Sequence, residues 1–138
     1  AQANCSSYEP NRVEMKDKCT VYYVDWQLQC CGDPFSVGDD IEWTAIAKHY
    51  KLPKHDVEID FMEEHHSGWN CKIKGRVVKI YAELSQKSNL SCQIYENTET
   101  MLVPVCYADG YTYLHGLTLW GYVVELSNVV TESVLDDQ

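Results

Sequence analysis

Apolar and polar residues alternate along most of this chain, and no segment holds the spacing of a long amphipathic helix. Val24, Trp26, Leu28 and Cys30 lie two apart, with Asp25, Gln27 and Gln29 between them, which predicts a half-buried strand from about Val21 to Cys30. Gly32-Asp33-Pro34 ends it, because proline has no N–H to give to a ladder. Gly38-Asp39 marks a further turn, and Ile41, Trp43, Ala45 and Ala47 open a second strand. Lys48 to Asp56, polar around Pro53, reads as a loop, and "VEIDFMEE" from Val57 as a third strand with one acidic face.

The long segment "CKIKGRVVKIYAEL" carries a change of parity. Ile73 and Val77 share one face, whereas Val78, Ile80, Ala82 and Leu84 share the other. A slip at Gly75 to Val78 is the mark of a β-bulge or sharp bend, which lets one strand serve two halves of a closed sheet. "CQIYE" and "MLVPVCY" read as short strands, the second interrupted by Pro104, and Trp120, Tyr122, Val124 and Leu126 alternate in a final one. About six or seven short strands joined by turn signals predict an all-β fold, a small SH3-like or related barrel or roll with a bulged long strand near Gly75. The SH3 comparison rests on element order alone. The expected organisation is a polar N-terminal arm over 1–18, one barrel domain over 19–127 and an acidic tail over 128–138.

Composition narrows the function classes. Eleven Lys and Arg against 21 Asp and Glu give a formal charge of −10, which repels phosphate backbones and disfavours direct nucleic-acid binding. No apolar run approaches the roughly 20 residues that span a bilayer, so no membrane segment is expected. Seven cysteines are an odd number, and a chain of 138 residues does not need staples to hold a core. The thiols are therefore read as reduced, in a cytoplasmic protein.

"DWQLQCCGDPFSVGDDIEW" (25–43) resembles the opening of an uncharacterised bacterial family, mainly actinobacterial, with a WQxxCCGxPFxVGDxxxW pattern. "EEHHSG" at Glu63–Gly68, "GRVVKI" at Gly75–Ile80 and "WGYVVEL" at Trp120–Leu126 extend the resemblance in order. It implies a bacterial cytoplasmic domain of unknown function and carries no active site.

Three groups of residues offer chemistry. Cys30, Cys31, His65 and His66 are the thiols and imidazoles of a Cys2His2 zinc set. Adjacent residues of a strand face opposite ways, which argues against convergence unless the chain turns between the cysteines. A nucleophilic Cys31 is disfavoured by the acidic residues that flank it. Tyr107, Tyr111, Tyr113, His115, Trp69 and Phe35 are candidates for contact with a partner, since aromatic side chains bury area at low entropic cost. The expected function is a non-enzymatic binding module for a protein partner or small ligand, without a cofactor. The alternatives are a zinc protein or metalloenzyme built on the Cys/His set, and an acidic inhibitor or immunity-type protein that blocks a basic target.

Overall fold

The computed structural model describes residues 11–86 and 99–134. Its strands are β1 (Asn11–Val24), β2 (Phe35–Ser36), β3 (Asp40–Lys51), β4 (Glu58–Glu63), β5 (Cys71–Gln86), β6 (Thr100–Val105), β7 (Tyr107–Ala108) and β8 (Leu117–Val134), with one short helix, α1 (Asp25–Cys31). The main sheet runs β3-β4-β1-β8-β5-β6, and a further pairing of β3 with β5 closes five of these strands into a barrel. β6 is the extra strand, and β1 and β4 run parallel (Val21 opposite Phe61), so the barrel is mixed.

The bend expected near Gly75 is present and does the work expected of it. Residues 71–76 of β5 pair with β3, whereas Ile80–Ser85 pair with β6, and the ladder to β8 slips between Lys74 and Arg76 and again between Val77 and Lys79. A Cβ on Gly75 would lie 3.2 Å from the Ser127 carbonyl oxygen, so the bend brings backbone against backbone. The slip moves the buried side chains from odd positions (Ile73, Val77) to even ones (Ile80, Ala82, Leu84), which keeps one core filled along the whole strand.

Val21, Tyr23, Ile73, Ile80, Tyr122, Val124 and Leu126 point into the barrel. Their neighbours Tyr22 and Val123 point outward and, with Leu52 and Ile59, make a second, smaller core. Trp43 packs half-buried on the main core, and the half-buried Trp120 donates its indole N–H to Ser85 Oγ at 2.7 Å.

Several local expectations change. Residues 11–18 of the expected arm form the first part of β1 and pair with Ser127–Val134 of β8, so both reach into the segments placed outside the barrel. Lys48–Lys51 of the expected loop belong to β3. "CQIYE" lies outside the described residues, as do Cys5 and Cys92. The largest correction is at Asp25–Cys31, expected as strand and found as helix. Less than two turns long, it buries Gln27 and Leu28 and leaves Trp26 54% exposed, so the alternation of Trp26, Leu28 and Cys30 was not a sheet face. α1 packs against the main core through Leu28. Gly32 ends it at a point where a Cβ would collide with the Tyr23 hydroxyl and lie 2.8 Å from Leu28 Cδ1, so only glycine lets the chain leave so close to the core.

Candidate metal centre

The helix removes the objection to the doubled cysteine. Consecutive helical residues are about 100° apart rather than on opposite faces, so both thiols can lean to one side. Cys30 Sγ and Cys31 Sγ are 3.1 Å apart. His66, from the loop after β4, brings its Nε2 to 3.7 Å from Cys31 Sγ and 4.0 Å from Cys30 Sγ. All three side chains are exposed, and their ligand atoms lie within 4.8 Å of one another.

A chain of hydrogen bonds fixes which nitrogen of His66 faces the sulfurs. The Glu64 carboxylate only accepts, so the Gln27 amide turns its N–H to Glu64 Oε1 (2.9 Å) and its oxygen to His66 Nδ1 (2.9 Å). Nδ1 must then carry the proton, which leaves the Nε2 lone pair pointing at the thiols, the arrangement of a ligating imidazole whose other nitrogen is held by a polar partner. Gln27 is only 2% exposed, so this positioning group is built into the fold. Glu64 also accepts from the His66 backbone N–H at 3.0 Å. Burial works against its charge, but the bonds from Gln27 and from the amides of His66 and Ser67 outweigh it and hold the carboxyl below its usual range. The Trp26 ring stacks on His66 with centroids 5.7 Å apart and covers one face of the imidazole.

The hydrogen bond from Cys30, slight burial and the charge of Cys30 together raise the Cys31 pKa. This shift weakens Cys31 as a free nucleophile. Cys19 and Cys71 are buried packing thiols instead, pushed up to about 12 and about 11, chiefly by burial.

His65 does not join this group. Its ring lies beside that of His66, with centroids 4.4 Å apart, but its Nδ1 is turned to Glu63 Oε2 at 2.7 Å. The structure thus brings together Cys30, Cys31 and His66 of the four expected ligands and sends His65 to a neighbouring cleft.

The expected partner residues also separate. Phe35 is 3% exposed and lies among Tyr23, Trp43 and Tyr122 in the core, so it is a packing residue and not a surface anchor. Trp69 is half-buried. Tyr107, Tyr111 and Tyr113 are exposed, at 51%, 65% and 72%, and His115 is exposed beside Tyr113, whose hydroxyl is 3.2 Å from its Nδ1. This loop is tied to α1: Gln29 donates to the Gly110 carbonyl at 2.6 Å, and Gly110 N–H donates to the Tyr122 hydroxyl at 3.1 Å. Sequence reasoning missed Gln27 and Glu64 as positioning groups. Their only signal was a polar residue three positions before the cysteine pair and an acidic one directly before the histidine pair.

The sequence model of a family of unknown function, DUF6578, matches residues 17–128. The chain belongs to the DUF6578 family. The match takes in α1, the Cys30–Cys31 pair and the His65–His66 loop, so the centre lies on the part of the chain that defines this DUF6578 protein as a member. No curated protein and no solved structure matches the chain.

Proposed function

We propose that this DUF6578 protein is a metal-holding β-barrel module of the bacterial cytoplasm, with zinc on Cys30, Cys31 and His66. The observation that carries the reading is the convergence of two thiols and one oriented imidazole nitrogen from segments 35 residues apart. Zinc bonds of about 2.3 Å to sulfur and about 2.0 Å to nitrogen at tetrahedral angles need ligand atoms about 3.5–3.8 Å apart. The two sulfur–nitrogen distances, 3.7 and 4.0 Å, lie near that range, and the sulfurs at 3.1 Å must open by a fraction of an ångström. Two thiolates and an imidazole suit zinc over magnesium or calcium, which prefer oxygen. Three protein ligands leave a fourth position for water, a small ligand or a side chain from a partner.

Loading the purified protein with cobalt tests this. A stoichiometric complex with a thiolate charge-transfer band and tetrahedral visible bands, displaced by zinc and absent from Cys30→Ser/Cys31→Ser and His66→Ala, is the expected result. Equal metal content in wild type and both variants, or cobalt bound without a thiolate band, overturns it.

A second reading has its own observation. Tyr107, Tyr111 and Tyr113 are each exposed, and exposed tyrosines support a role as an interaction module. Tyr111→Ala with Tyr113→Ala then leaves the unfolding midpoint unchanged and removes the partner from a pull-down. Full retention of the partner removes this reading.

A further inference from the structure

Beside the thiol group lies a cleft of about 390 Å³, within the range of small-ligand sites. Two polar atoms on its lining are buried without a hydrogen-bond partner: Glu63 Oε1 and His65 Nε2. Glu63 is 2% exposed, at the end of β4, and the Tyr23 hydroxyl lies against the same carboxyl group. Burying an unpaired carboxylate oxygen is costly, and native proteins rarely leave one without a reason.

The chemistry of the missing partner follows from the bond already made. His65 Nδ1 is 2.7 Å from Glu63 Oε2. With the proton on Nδ1, both orphan atoms are acceptors: the second carboxylate oxygen and the Nε2 lone pair. The group that completes them gives hydrogen bonds and accepts none. The rest of the lining selects its charge. Asp33, Asp39, Asp40 and Glu42 stand around the mouth, no Lys or Arg lines the cleft, and Arg76 reaches it only through its ion pair with Asp40. Trp43 stands on the wall, edge-on to Tyr23 at 5.1 Å and to Phe35 at 5.0 Å, and an indole face attracts a cation.

We infer that this cleft is a binding site for a primary ammonium group, held by Glu63 Oε1 and His65 Nε2 and walled by Trp43. The group belongs either to a free amine or to a lysine side chain of a partner. The cleft adjoins the metal centre and shares Cys31 on its lining, but its two orphan acceptors belong to residues outside the ligand set.

Nitrogen-15 NMR titration with cadaverine and with a lysine-containing peptide tests it, on metal-stripped and zinc-loaded protein alike. Saturable shifts at Phe35, Thr44, Glu63 and His65 are expected for the amine, and none for the Nε-acetylated peptide. The Nε-trimethylated peptide keeps the charge but has no N–H, and it binds about tenfold more weakly. Glu63→Gln weakens the amine about tenfold or more, and His65→Ala is the second variant should Glu63→Gln not fold. A peptide that binds more tightly than cadaverine assigns the site to a protein partner, and the reverse assigns it to a small amine. Absence of shifts in wild type at millimolar amine, equal shifts for the acetylated peptide, or undiminished binding by the folded variants overturns the inference. Retained amine binding in Cys30→Ser/Cys31→Ser separates its fate from that of the metal centre.

Discussion

Two buried glutamates divide this barrel. Glu83, near the end of β5, is fully buried beside the outer core, where the Tyr22 hydroxyl donates to one oxygen at 2.5 Å and the Thr100 hydroxyl to the other at 2.7 Å. Thr100 is in turn 2.8 Å from His55 Nε2. Glu63 is as deeply buried, yet one of its oxygens has no partner, and it faces a cleft instead of a packed layer. The same side chain at the same burial is a cross-link in one place and an open valence in the other. The difference teaches that burial of a charge does not by itself mark function. The informative quantity is whether the fold satisfies it.

That contrast can be broken by measurement. Glu83→Ala removes the acceptor that two hydroxyls share and opens a hole, and it costs about 4 kcal/mol in denaturant unfolding. A cost as small as that of Glu63→Gln would erase the distinction. At the cleft end, zinc at about 100 times its Kd raises stability by about 2.7 kcal/mol, because the ligands exist as a set only in the folded chain. Chelation reverses the gain, and Cys30→Ser/Cys31→Ser never shows it. Tyr22→Phe removes one donor from Glu83 and costs about 1–2 kcal/mol.

Glu63→Gln is the smallest change at neutral pH, within about 1 kcal/mol in either direction. Its pH dependence sharpens the comparison. Burial raises the Glu63 pKa above its ordinary 4.5, against the opposing hydrogen bond from His65. The folded state therefore holds this proton more tightly than the unfolded one. Its stabilising contribution is complete below pH 4.5 and is lost as the pH climbs through the raised folded value. Wild type thus falls relative to Glu63→Gln over that interval in unfolding midpoints taken by circular dichroism. Parallel curves would place the Glu63 proton at its ordinary affinity.

The fold was legible where the pattern was long. The parity change at Gly75 named both the bulge and its role, since fourteen residues of alternation leave little else for the chain to be. The site was legible only as residue types. Over seven residues, strand and helix make similar demands on Trp26, Leu28 and Cys30, and the choice between them decides whether two adjacent thiols face apart or together. Phe35 misled for a related reason. It stands beside Gly-Asp-Pro, which reads as an exposed turn, but tertiary packing folds that turn inward onto Tyr23 and Trp43. The Glu63–His65 pair could not be separated from Glu64–His66 in "EEHH", because only the three-dimensional path of the loop gives each imidazole its own partner, Glu63 for His65 and Gln27 for His66.

The neighbours of β1 have a consequence for how the molecule is made. This first strand lies between β4 and β8, and its register joins Asn11 to Val134, the two extremes of the described chain. On the ribosome, β1 waits with one edge bare until β8 emerges, so its longest ladder closes only after the other barrel strands have been made. Such a chain offers chaperones a long window, and a ribosome stalled before β8 would display an adhesive ribbon rather than a half-built barrel.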